Sequence, residues 1–287
     1  MEALYHYCPT AAFHSIIQTR SIWLSSLTLA NDTMEGKLVT GALTRLAQRD
    51  GLDRAAVERL KDSVALLEGM FDGLGFCLSE DGDLLSQWRG YASDATGVAI
   101  GFSSTHLQTL ANSSSLAGAS GFSLDRVEYS SAGHETQVEP TYRQVRQYID
   151  DGAFKIAGLR SLLDSRTNEE IEKERKTIEK AHSNLLLTLL TLLPKLFFLK
   201  ATAFSEEKEW RLVSFLVWNV SDDCLYRLGA DRVIPYRRFE LAKADPLPIV
   251  EVVLGPKHQT PNNVVVEFLK SNGFGDVPVR RSEATYR

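Results

Sequence analysis

Glu207 and Glu209, two residues apart in FSEEKEWRLV, are the most pointed chemical signal in this sequence. On a β-strand they project from the same face, and Arg211 follows on that face by the same period of two. Like charges side by side cost free energy unless solvent, a cation or a function compensates. Two readings follow. In one, the trio is a surface salt-bridge ladder worth little to stability; in the other, a carboxylate is held at a cleft to stabilise a developing cation or to polarise a hydroxyl.

Three further clusters combine polar groups with strand ends or loops, where a sheet can hold functional side chains against a cleft. In LYHYC, residues 4–8, the His6 ring can bind a ribose hydroxyl or simply bond a backbone carbonyl. A one-residue shift of strand phase would turn Tyr5 or Tyr7 to the cleft instead. SIWLSS ends in Ser25 and Ser26, which lack the G-x-S-x-G setting of an activated nucleophile. In the NDTMEG segment after it, Asn31, Asp32 and Glu35 suit a turn that caps a helix. In SQWRGY, Trp88 can stack on a base while Arg89 grips phosphate, or Trp88 can close the core.

The elements that must position these residues are legible from periodicity. Residues 3–8 and SIWLSS read as strands around a short helix whose apolar face is Phe13, Ile16 and Ile17. Residues 37–69 read as helical, with a break near Asp50-Gly51. GLGFCLSE and TGVAIGFS have strand character and bracket the polar DGDLLSQWRGYASDA; FSLDRVEYS offers another strand. Residues 139–199 read as helical, with a capping box over Thr167 to Glu170. EEKEWRLVSFLVW, DRVIPYRRFEL and IVEVVLGP return to strand, followed by a helix near 261–272 and a short strand at VPVRR. The order predicts an α+β domain, a single one over residues 1–287, with helical insertions at about 37–69 and 139–199.

Composition narrows the function. The chain has 287 residues, 44% hydrophobic and 24% charged, enough for a sizeable core. A net charge of -5 gives no general pull towards nucleic acid or anionic membrane. Three cysteines without CxxC spacing suggest neither a disulfide framework nor a zinc site, and fit a reduced, cytoplasmic setting. The start, MEALYHYC, lacks the pattern of a secretory signal. NLLLTLLTLLPKLFFL is broken by Pro194-Lys195 and is shorter than the ~20 residues that span a bilayer, so a buried helix is expected and no membrane partner. GxGxxG after a strand, GxxxxGK[ST] and HExxH are all missing, which removes support for Rossmann, P-loop and zinc-protease readings.

Together LYHYC, SIWLSSLTLANDTMEG, FCLSEDGDLLSQWRGYASDATGVAIGF and FSEEKEWRLV resemble a bacterial family known as domain of unknown function 2971. That family carries no activity with it. More distantly, the early strand with His, the second strand ending in Ser and the late Glu-x-Glu strand resemble the layout of ADP-ribosyltransferases, which implies a split mixed or antiparallel sheet and NAD as substrate, without a metal. The resemblance implies that His6 contacts the NAD ribose or phosphate, Ser25 lies near the nicotinamide, Glu209 grips the ribose hydroxyl and Glu207 orients an acceptor. Tyr7, Asn31, Trp88, Arg89 and Arg211 complete the candidate set around the dinucleotide.

The leading expectation is therefore an NAD-consuming ADP-ribosyltransferase or NAD glycohydrolase, a toxin or defence effector acting on a protein or nucleic acid. It requires His6 and Glu209 to meet across one cleft. A second expectation is a non-catalytic nucleotide- or protein-binding module on the same fold. A third, a metal-dependent nuclease, requires Asp32, Glu35, Glu207 and Glu209 to converge.

Overall fold

The computed structural model describes residues 3–29, 37–114, 121–156, 166–218, 223–229, 231–241 and 248–286. The chain forms two compact units: Met1–Asn31 with Asp72–Val127 and Ala203–Arg287, and Asp32–Phe71 with Glu128–Thr202. The first carries the sheet and the second is helical, so the molecule is α+β.

The sheet unit opens with β1 (Ala3–Cys8), α1 (Thr10–Thr19) and β2 (Ser21–Ser26), at the positions that periodicity predicts. Beyond the helices α2 (Leu38–Arg49) and α3 (Arg54–Met70) of the other unit, β3 (Phe71–Ser79), α4 (Leu85–Tyr91), β4 (Val98–Ser103), α5 (Ser104–Ser114) and β5 (Phe122–Arg126) form its middle. β6 (Glu209–Val217), β7 (Leu225–Leu228), β8 (Val233–Glu240), β9 (Ile249–Leu254), α9 (Asn262–Ser271) and β10 (Val279–Arg281) complete it. The strand order is β10-β9-β4-β1-β3-β2-β8-β7, with β6 on β3 and β5 on β6. Only the β9–β10 pair among the registered ones is parallel, so the sheet is mixed. β3 has three partners, β1, β2 and β6. A strand has two edges, so two of these share one, and the sheet forks there.

Registers fix the faces, because directly opposed residues share one. Leu4, His6 and Cys8 stand opposite Phe102, Ile100 and Val98. This first face buries the main apolar core, to which β3 gives Leu74, Phe76 and Leu78, β6 gives Leu212 and Leu216, α1 gives Phe13, Ile16 and Ile17, and α9 gives Val265 and Leu269. Tyr5 and Tyr7 occupy the second face with Ala99 and Val253, covered by Trp88 of α4.

α4 joins β4 through a turn in which three successive non-glycine residues, Ser93, Asp94 and Ala95, have positive φ of 49°, 52° and 69°. Ala95 N–H donates to the Trp88 carbonyl at 2.9 Å and Gly97 N–H to the Ala92 carbonyl at 2.8 Å, which holds the turn. A Cβ on Gly97 would lie 2.3 Å from the Cys8 carbonyl oxygen. Gly97→Ala is therefore expected to lower stability by about 1–3 kcal/mol in urea melts; a loss under about 0.5 kcal/mol would show that β1 yields freely.

The helical unit contains α2 (Leu38–Arg49), α3 (Arg54–Met70), α6 (Ser131–Asp150), α7 (Asn168–Leu190) and α8 (Leu193–Leu196). The expected break falls at Gly51, with φ of 70°, and Asp53 caps α3 by accepting from Ala56 N–H at 2.8 Å. The Thr167–Glu170 capping box is formed. α6 starts eight residues earlier than the periodicity suggests, capped by Ser130. The apolar stretch ends α7 and turns at Pro194, burying Leu185, Leu189, Leu192 and Leu196. Among the described residues no helix is long and apolar enough to cross a membrane.

Candidate functional site

His6 sits on the first face, its ring stacked on Phe76 with centroids 4.0 Å apart. Its Nδ1 lies 2.8 Å from the Cys77 carbonyl oxygen, so Nδ1 carries the proton and donates. Burial pulls its pKa down to about 4, against the smaller upward pull of that hydrogen bond. At neutral pH the ring is an uncharged part of the fold.

Glu209 points the other way. Leu212 and Leu216 of β6 enter the first-face core, so Glu209 and Arg211, of opposite parity, lie on the second face. The structure therefore does not bring His6 and Glu209 together: the sheet separates them. The expectation of a shared cleft is corrected, and the cause is pleat parity on β6 relative to β1.

Glu209 and Arg211 are instead partners. The guanidinium donates through Nε and one terminal nitrogen to the two carboxylate oxygens at 2.8 and 3.0 Å, and both residues are buried, at 5% and 1% exposure. A bidentate pair of this kind is strong and geometrically specific. The surface-ladder reading fails on burial, and the expectation that Glu207 shares the strand face is corrected too. Glu207 ends a 3-10 turn (Thr202–Glu207), and Lys208, with φ of 45°, separates it from β6. Glu207 accepts from the Tyr91 hydroxyl at 3.0 Å, and its carbonyl from the Ser79 hydroxyl at 2.8 Å.

The SQWRGY segment is structural. Trp88 is fully buried, its Nε1 donating to Asp83 at 2.7 Å and its ring edge-on to Tyr7 at 4.8 Å. The Tyr7 hydroxyl donates to the Asp81 carbonyl and accepts from Leu84 N–H, both at 2.8 Å. Trp88 and Tyr7 thus have no surface left for a ligand, which corrects their assignment. Arg89 is exposed and lies over the Tyr286 ring at 5.7 Å. Ser25 shares the second face with Gly75 and accepts from Arg227 Nε at 3.2 Å. Asn31, Asp32 and Glu35 lie outside the described residues. Among those described, no group of three or more His, Cys, Asp or Glu side chains could hold one metal ion.

A different hollow is present in the sheet unit. A cavity of about 360 Å³ opens between α5 and the ends of β1, β5 and β6. Ser104, Thr105, Gln108, Thr109 and Asn112 line it from α5, and Leu4, Leu124 and Trp210 from the sheet. The spacing of three and four along α5 turns these polar groups to one side while Leu107 and Ala111 enter the core. Ser103 caps the helix by accepting from His106 N–H at 3.2 Å. Trp210 is set by its Nε1 donating to Glu80 at 2.9 Å, and Glu80 is paired with Arg126 at 3.3 Å.

Sequence reasoning missed α5 and with it this cavity. The signal was present: a serine before THLQTLAN, with Leu107 and Ala111 four apart. Trp210 lies inside the EEKEWR stretch, where the charged neighbours carry the stronger chemical signal.

Residues 87–212 match the family described as protein of unknown function (DUF2971), which bears out that resemblance over a stretch running from Gln87 through β4 and α5 to Leu212. No curated protein and no solved structure matches the chain.

Proposed function

We propose that the sheet unit is a binding module for an uncharged, ring-bearing ligand of nucleoside size, held between α5 and Trp210. The observation that carries this reading is the α5 cavity. Its volume of about 360 Å³ lies near the lower end of the range for small-molecule sites, roughly 300–1,000 Å³, and is small for a dinucleotide.

Its chemistry points the same way. An indole offers a flat apolar surface on which a base can stack. Within α5, Gln108 Nε2 donates to Asn112 Oδ1 at 3.3 Å and the Thr109 hydroxyl to the Thr105 carbonyl at 2.9 Å; the remaining capacity of these hydroxyls and carboxamides includes both donors and acceptors, as sugar hydroxyls and base edges require. None of the eight lining residues is charged, so nothing in the wall is built to hold a phosphate chain.

Thermal melts of the intact protein with adenosine, guanosine, cytidine, uridine and NAD test this. At ten times its dissociation constant a ligand stabilises by about 1.4 kcal/mol. At least one nucleoside is expected to raise Tm, with little change on adding salt. Gln108→Ala and Thr109→Val, both on the exposed side of α5, are expected to weaken binding at unchanged Tm of the free protein. No shift with any nucleoside would remove the proposal.

NAD consumption, by ADP-ribosyl transfer or glycohydrolysis, is the competing reading. The forked sheet at β3 supports it by analogy of layout alone. The separation of His6 from Glu209 and the Glu209–Arg211 pair weigh against it. Release of nicotinamide from NAD, with or without cell extract, would favour it over simple binding.

A further inference from the structure

We propose that β7 is a self-association edge, at which a second copy of this chain adds its own β7 antiparallel, about a two-fold axis through Tyr226. β7 ends the strand order, and among the described residues it has β8 on one side and no strand on the other. An open edge offers unpaired backbone groups to any strand that can match them. Here that edge is also apolar: Leu228 is 84% exposed, Tyr226 63%, Val233 58% and Leu225 46%. Four large apolar side chains on one short hairpin mark an interaction surface rather than scattered exposure.

The backbone defines which groups are available. Gly229 N–H donates to the Arg232 carbonyl at 2.7 Å, where the hairpin closes. Antiparallel alternation then turns the N–H and C=O of Arg227 and Leu225 towards β8, and those of Tyr226 and Leu228 outwards. Pro235, opposite Tyr226, fits this phase, since at that position β8 has no hydrogen bond to give β7.

The register follows from overlap, symmetry and charge, since only an axis at Tyr226 or Arg227 keeps three of the four β7 residues paired. A two-fold axis perpendicular to the sheet keeps each face continuous, so it must pass through a residue pair rather than between two. Centred on Arg227, it would set two guanidinium groups directly opposite each other, which is destabilising. Centred on Tyr226, it sets Tyr226 against Tyr226 of the second copy and Leu225 against Arg227. The outward N–H and C=O of the two Tyr226 residues then exchange both hydrogen bonds. A second copy in this register thus meets the edge without a charge conflict.

Sedimentation velocity of the full chain is expected to show a reversible dimer. Leu228→Lys, at a position open to solvent, is expected to weaken it at least about tenfold while leaving Tm unchanged. Cross-linking reads the register itself. Opposed Cα atoms of a hydrogen-bonded pair lie about 5.5 Å apart, within disulfide reach. In a Cys224→Ser background, Tyr226→Cys is expected to give a covalent dimer under mild oxidation and Arg227→Cys none. A wild-type chain that stays monomeric at all concentrations overturns the proposal, as does a dimer indifferent to Leu228→Lys or one trapped by Arg227→Cys instead.

Discussion

Glu209→Gln is expected to lower the stability of the protein by about 3–5 kcal/mol, the cost of removing one partner from a buried ion pair. The substitution keeps the shape of the side chain and deletes its charge, so the Arg211 guanidinium, 1% exposed, faces a neutral amide. In a melt this corresponds to a Tm roughly 6–20 °C lower, if about 2–4 °C is lost per kcal/mol. A catalytic carboxylate outside such a pair would behave differently: turnover would vanish while Tm stayed put. If Glu209→Gln melts with the wild type, the pair is not what holds this end of β6.

The second large effect is a loss of stability in acid traceable to His6. Its folded pKa of about 4 lies below the ordinary value of 6.5, so the unfolded chain binds the proton more readily than the fold does. The stabilisation is therefore fully present above about pH 6.5 and is lost as pH falls towards 4. Linkage gives on the order of 2 kcal/mol lost by pH 5 and about 3 kcal/mol below pH 4. His6→Gln removes the titration while keeping an amide able to donate to the Cys77 carbonyl. The stability difference between wild type and variant should shift by about 2 kcal/mol between pH 7.5 and 5, in the direction that penalises the wild type. His106 and His258, whose pKa values burial also lowers, act alike in both proteins and drop out of the difference. A pH-independent difference would mean that the ring takes up its proton in the folded state without cost.

The two predictions assign structural work to the two residues on which an NAD site would have rested. They also separate fold from function: Gln108 and Thr109 lie on the exposed side of α5, so ligand binding there can be altered without touching either group.

Local pattern by itself determined most elements of this protein. The alternation in residues 3–8 and SIWLSS, the spacing of Phe13, Ile16 and Ile17, and the Thr167 capping box all appear where periodicity and capping chemistry place them. These signals are readable because each depends on neighbours within one or two turns. α5 was legible in principle but short, polar and adjacent to a strong strand, so its pattern went unread. What only the tertiary structure decided was which face of the sheet each candidate occupies. That choice is made by pairings such as Tyr5 with Ser79 and Asp125 with Arg211, between residues far apart in the chain, and a shift of one residue in any of them reverses it. Sequence spacing put Glu209 and Arg211 on one face correctly; that this face is buried, and that His6 packs into the core on the other, follows from packing that no local window contains.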